Sequence, residues 1–183
     1  EEVVHKKNEK KIEYKNAWLK IYDKPVLYFP YFFHPDPTVK RQSGFLMPSF
    51  QNSNNSGTSI QIPYYKVISE RKDLTLFPRV FFGNEIILQS EYRQANKNSD
   101  LLLDLSINKS NNDTKNHFFA DLSSNKQNHS LNLHLESVSN DTYLKKNNII
   151  SPIINDNSAL HSYMNYNSFS EDSSFDISFE VFE

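Results

Sequence analysis

The chain has 183 residues, a formal net charge of −2 and no cysteine. That balance leaves no electrostatic footprint for nucleic acid, and the absent thiols exclude disulfide staples and thiolate metal sites within it while leaving the compartment open. Hydrophobic residues make up 37% and aromatics 14%, a pairing foreign to disordered chains and suited to sheets that are apolar on one face only.

Glu1-Glu2-Val3-Val4-His5-Lys6-Lys7 lacks the apolar core of a signal peptide, and no run approaches the ~20 apolar residues of a membrane helix. Phe175 to Phe182 is a strong strand pattern cut off at Glu183. The chain therefore reads as an internal piece of a longer protein. Ile12, Tyr14, Trp18, Leu19 and Ile21 predict a first strand, closed by a Tyr22-Asp23-Lys24-Pro25 turn. Val26-Leu27-Tyr28-Phe29 and Tyr31-Phe32-Phe33 then form an almost unbroken apolar run. Such a run fits a strand buried on both faces or one lining a greasy cavity. His34-Pro35-Asp36-Pro37 breaks regular structure and places a domain boundary near residues 34–42.

Evenly spaced hairpins follow. Strands are predicted over residues 43–51, 58–69, 73–82, 85–94, 101–109, 116–124, 129–138, 158–168 and 174–183, separated by turns rich in Asn, Ser, Gly and Asp. Alternation is clean in several. Leu101, Leu103, Leu105 and Ile107 share one face; so do Leu131, Leu133 and Leu135, and Phe175, Ile177, Phe179 and Val181. Residues 141–157 are irregular and read equally as a long loop or a plug-like insertion. Two architectures suit a meander with one greasy and one polar face: a soluble sandwich or part of a membrane barrel. Many of the predicted strands are long enough to cross a bilayer when tilted, whereas soluble strands average five or six residues. Arg79, Glu91, Arg93, Asp104, Asp121, Glu136, Asp176 and Glu180 charge the polar face, which fits bulk solvent or a wet lumen.

Each of the first two hairpin strands contains a proline, Pro48 and Pro63. Proline lacks the N–H that a ladder needs and is normally confined to edges and bulges. Two adjacent strands that each carry one make a seam with few hydrogen bonds, suggesting a place built to open. The blander reading is an edge device against aggregation.

PVLYFPYFFHPDP, KRQSGFLMPSF, GTSIQIPYYKVIS, KDLTLFPRVF and SEYR, within residues 25–93, together resemble the LPS-assembly protein LptD family, also called OstA. The resemblance implies an all-β chain. Residues 1–40 are the last strands of a periplasmic β-jelly roll, and residues 41–183 are antiparallel up-and-down strands of a large outer-membrane β-barrel in a Gram-negative cell. The implied function is lipopolysaccharide transport into the outer leaflet. The jelly roll carries acyl chains, and the lipid leaves sideways at the barrel seam. Pro48 and Pro63, with Gly44 and Phe45, then belong to a lateral gate. Val26, Tyr28, Phe29, Tyr31 and Phe33 are candidates for the lipid path, against plain core packing. Lys40 and Arg41 are candidates for phosphate contact, against a solvated turn. The implied partners are lipopolysaccharide, outer-membrane lipids, the periplasmic bridge protein LptA and, where present, the plug lipoprotein LptE. No nucleic acid, cofactor, metal or catalytic residue is expected. Nothing in the sequence brings Asp104, Asp121 and Glu136 together as an acid–base pair, and His129 and His134 lie on opposite strand faces, which rules out joint metal ligation. The alternative kept beside this is a soluble carbohydrate-binding β-sandwich; a generic porin leaves the aromatic run unexplained.

Overall fold

The computed structural model describes residues 2–21, 23–36, 38–39, 41–53, 57–83, 85–110, 113–154 and 159–183. Tyr22, Pro37, Lys40, the turn positions 54–56, 84 and 111–112, and residues 155–157 of the irregular segment lie outside the described residues. The chain divides into two units, Glu1–Gln42 and Ser43–Glu183, and each holds its own antiparallel sheet.

The first unit is a three-stranded sheet in the order β1-β2-β3. β1 spans Glu2–Lys6, β2 Lys11–Ile21 and β3 Lys24–Pro35, with a 3-10 turn at Lys7–Glu9 between the first two. The sequence pattern did not show β1, because Val3 and Val4 are its only apolar residues. Pro30 falls inside β3, at the gap between the pairs Lys15–Tyr31 and Ala17–Phe29. Proline has no N–H to give there, and Asn16 opposite adopts a positive φ of 53°. The register sorts the aromatics onto two faces. Tyr28 and Phe32 lie with Trp18 and Tyr14 on one, with ring centroids 4.8 Å apart for Trp18–Tyr28 and 5.9 Å for Tyr14–Phe32. Phe33 pairs with Glu13 and Tyr31 with Lys15 on the other.

The second unit is one 11-stranded sheet, ordered β14-β13-β12-β11-β10-β9-β8-β6-β5, with β7 pairing β8 and β4 pairing β7 off that path. The strands are β4 (Gly44–Phe45), β5 (Ser49–Ser53), β6 (Gly57–Gln61), β7 (Tyr64–Ser69), β8 (Lys72–Phe81), β9 (Ile86–Ala95), β10 (Ser99–Ser110), β11 (Asp113–Lys126), β12 (His129–Val138), β13 (His161–Phe169) and β14 (Ser174–Phe182). Consecutive strands pair from β8 onward, an up-and-down meander. The described sheet stays open, with β4 and β5 at one edge and β14 at the other; among the described residues there is no closed barrel.

Burial runs opposite to that of a soluble sheet. Leu101, Leu122, Leu133, Met164 and Phe179 are partners in one row across five strands. The face it lies on is the open one: Leu103 and Leu133 are half-buried and Phe179 is 66% exposed. The sandwich alternative required these strands to pack on one another around a dry core. They lie instead on one side of one sheet. The polar face is the covered one: Asp104 is 0% exposed, and Ser106, Asn108 and His117 are buried beside it.

The cover is the irregular segment. Residues 143–147 form α1 (Tyr143–Asn147). Asn140 Oδ1 accepts from Thr142 N and Oγ1 at 3.1 and 2.8 Å at its start. Asn148 closes it in the left-handed region at φ 48°, and Ile149 N donates back to Leu144 O at 3.0 Å, a Schellman-type stop. Tyr143, Leu144, Ile149 and Ile153 pack on Phe119, the one large apolar side chain buried on that face of β11. Between loop and plug-like insertion, the structure shows a segment folded down onto the polar face.

Candidate functional site

The first two predicted strands are each broken in two, and the breaks fall at the prolines. Leu46, Met47 and Pro48 separate β4 from β5; Ile62 and Pro63 separate β6 from β7. The pairs Phe45–Tyr64 and Ser49–Gln61 flank the gap, so three residues of the edge strand oppose two of its neighbour. One extra residue on one strand is a β-bulge. Within the gap, Leu46 N donates to Pro63 O at 2.8 Å and Ile62 N donates to Pro78 O at 3.2 Å. Both acceptors are prolines, so neither has an N–H with which to return the bond. Pro78, in the quoted KDLTLFPRVF run but unassigned from sequence, is thus a third member of the weak band.

Pro48 is exposed and Pro63 buried. Phe45 is 77% exposed and packs edge-on against Tyr64 at 5.1 Å. A Cβ added at Gly44 meets nothing within 4 Å, so no close approach demands glycine there. In the first unit, Val26 lies in β3 with its side chain outside the described part. Tyr28, Tyr31 and Phe33 are exposed and Phe29 is half-buried. They do not share one face, since Tyr28 sides with Trp18 while Tyr31 and Phe33 side with Glu13. Arg41 is exposed, and Lys40 lies outside the described residues.

Charge in the first unit gathers around Glu13. Lys11 Nζ lies 2.8 Å and Lys6 Nζ 3.1 Å from its carboxylate oxygens. Hydrogen bonds from Lys11, then Lys6, hold its pKa down at about 2, and the same pairing raises that of Lys11. Asp36 is also held at about 2, first by the Thr38 N–H and hydroxyl and then by His5. Lys11 additionally sits 6.0 Å from the Phe33 ring centroid.

The polar face of the second unit holds a connected network. Gln89 Nε2 donates to both Asp104 oxygens at 3.0 and 3.1 Å and to Ile150 O at 2.9 Å. Ser106 Oγ bonds His117 Nδ1 and the Tyr143 hydroxyl, both at 2.7 Å. These bonds tie the folded segment to β9, β10 and β11. His134 sits between Asp121 and Glu136, at 3.4 and 2.9 Å. Among the described residues no group of three or more His, Cys, Asp or Glu side chains is placed to hold a metal, and no helix is long and apolar enough to cross a membrane.

A sequence profile of the family described as LptD protein matches residues 12–181, nearly the whole chain. The chain belongs to the LptD protein family. Curated relatives include an LPS-assembly protein LptD of Pseudomonas entomophila (strain L48), 39% identical over 85 residues, which is 46% of this chain and 9% of the relative. An LPS-assembly protein LptD of Pseudomonas aeruginosa (strain UCBPP-PA14) is 38% identical over 85 residues, with the same coverage. The matched stretch thus spans about a tenth of these LptD relatives. The family identified from PVLYFPYF, SGFLMP and the motifs after them is the one that the comparison returns.

Proposed function

We propose that the chain is part of an outer-membrane machine that delivers lipopolysaccharide to the outer leaflet. Glu1–Gln42 are its last periplasmic jelly-roll strands, and Ser43–Glu183 are the first strands of its barrel. The open apolar row faces lipid, the polar face with its buried carboxylates faces the lumen, and the folded segment lies inside. The machine does no covalent chemistry; it supplies a greasy path and a seam. Tyr28, Phe29, Tyr31 and Phe33 offer acyl-chain contact, and Arg41, with Lys40, offers charge to lipid phosphates at the rim. The periplasmic bridge protein LptA supplies the cargo, and the plug lipoprotein LptE, where present, supports the barrel.

The observation that carries this reading is the one-way bonding at the prolines. An edge hairpin whose middle has three residues against two, with acceptors that cannot donate back, opens more readily than a continuous ladder. The test replaces Pro48 and Pro63 with valine in the full-length protein and follows newly made lipopolysaccharide to the cell surface. An N–H restored at Pro63, opposite Leu46, is worth about 0.5–1.5 kcal/mol net. If seam opening limits delivery, arrival slows by roughly 2- to 12-fold for that amount, at 1.4 kcal/mol per tenfold. Arrival at an unchanged rate, with normal protein levels, removes the gate.

A further inference from the structure

We propose that Arg79 is a positioning residue that couples the seam strand to the folded segment, so that release of β5 and loosening of residues 143–150 are a single event. The inference deepens the seam reading above and rests on it. Arg79 lies on β8 and is 6% exposed. Its two terminal nitrogens serve different elements. Nη2 donates to Gln51 Oε1 on β5 at 2.8 Å, and Nη1 donates to the carbonyl of Asn147, the last residue of α1. That carbonyl stands at a helix end, where intrahelical bonding leaves it without a partner.

β5 is not a neighbour of β8, since β6 runs between them. The reach across β6 passes Ser59, which is paired with Gln51 on one side and Phe81 on the other. A small, buried serine leaves room for the guanidinium, which also lies 5.9 Å from the Phe81 ring. Arg79 Nε is buried with no hydrogen-bond partner, so the two Nη bonds carry the solvation of a buried cation. Withdrawing Gln51 leaves that charge leaning on Asn147 alone, and withdrawing Asn147 leaves it leaning on Gln51. A charge shared by two movable acceptors makes the position of each depend on the other, and such coupling is reciprocal. Lysine in this place keeps the charge but lacks the planar fork that serves both sides.

The test is hydrogen exchange of the amides of residues 143–150 in the full-length protein in lipid nanodiscs. Gln51→Ala, on β5, is expected to speed exchange in that segment by about fivefold or more, the low end of ordinary coupling between sites. Arg79→Lys does the same, and Gln51→Ala adds nothing in the Arg79→Lys background. Gln51→Glu, which keeps an acceptor for Nη2, exchanges no faster than the parent. Unchanged exchange in Gln51→Ala, or independent additive effects of the two substitutions, overturns the coupling. Neither readout requires transport, so a failure of the proline test in export is separately visible from a failure here.

Discussion

Arginine placed in turn at Leu101, Leu103, Leu105 and Ile107 reports which way the apolar row faces. These residues share one face of β10 (Ser99–Ser110, 12 residues). At ~3.4 Å per residue the strand is about 40 Å long, and a ~45° tilt reduces its span to about 29 Å, close to the ~30 Å hydrocarbon core. Leu105 then sits near mid-depth and is 41% exposed, beside Phe118 on β11. Against lipid, arginine costs about 2–4 kcal/mol at the midplane and about 0–1 near either interface. The central substitution is therefore expected to shift the folded fraction by roughly 30- to 700-fold, at 1.4 kcal/mol per tenfold, and Leu101→Arg by less. The assay is the amount of full-length protein recovered from outer membranes as the heat-modifiable folded form, with a denaturant midpoint in lipid vesicles for each variant. Against water the four sites carry no depth term, and a surface change is usually worth within ±0.5 kcal/mol. A flat profile along the strand, or a maximum at an end, refutes the lipid-facing assignment.

The remaining predictions concern the first unit and the edge hairpin. Glu13 has a folded pKa of about 2 against an ordinary 4.5. Its stabilisation is therefore fully present above about pH 4.5 and is lost as pH falls from there toward 2. Glu13→Gln should flatten that acid limb, read as hydrogen exchange of residues 11–35 against pH; an unchanged limb assigns the acid sensitivity elsewhere. Gly44→Ala has open space for its methyl and an ordinary φ, so lipopolysaccharide arrival should match the parent, in contrast to the valine replacements at Pro48 and Pro63. Slowed arrival in Gly44→Ala shows that the edge needs glycine for a reason other than room.

Period-two alternation made β10, β12 and β14 legible, because a long strand with one greasy face repeats the same signal several times. Pro48 and Pro63 marked the two weak points for a chemical reason visible in the residue itself. What the sequence concealed depends on counting across strands. The mismatch of three residues against two exists only between partners, and neither strand alone displays it. Pro78 escaped for the same reason, since its carbonyl matters only because Ile62 lies opposite. The segment after β12 offered Tyr143, Leu144, Ile149 and Ile153 without a usable period, because its apolar groups meet Phe119 from a short helix and an irregular stretch rather than from one regular element. Arg79 read as one more charge on a wet face, and nothing local announced a reach across an intervening strand to Gln51. β1 carried too few apolar residues to register.

The odd residue in the edge strand has a consequence for parity. Gly44 pairs with Tyr65, whose hydroxyl reaches Asp73 on the polar face, while Phe45 pairs with Tyr64 on the other. Beyond the gap the assignment swaps, for odd-numbered Ser49 and Gln51 now share the side of Ser59 and Arg79. Point substitution leaves this inversion in place, because it is written in chain length and not in side-chain chemistry. Deleting one of residues 46–48 would leave two residues against two, with Phe45 still opposite Tyr64 and Ser49 still opposite Gln61, and would zip the ladder shut without turning either end over. Evolution can therefore retune the strength of this border residue by residue, but only a change of chain length erases it.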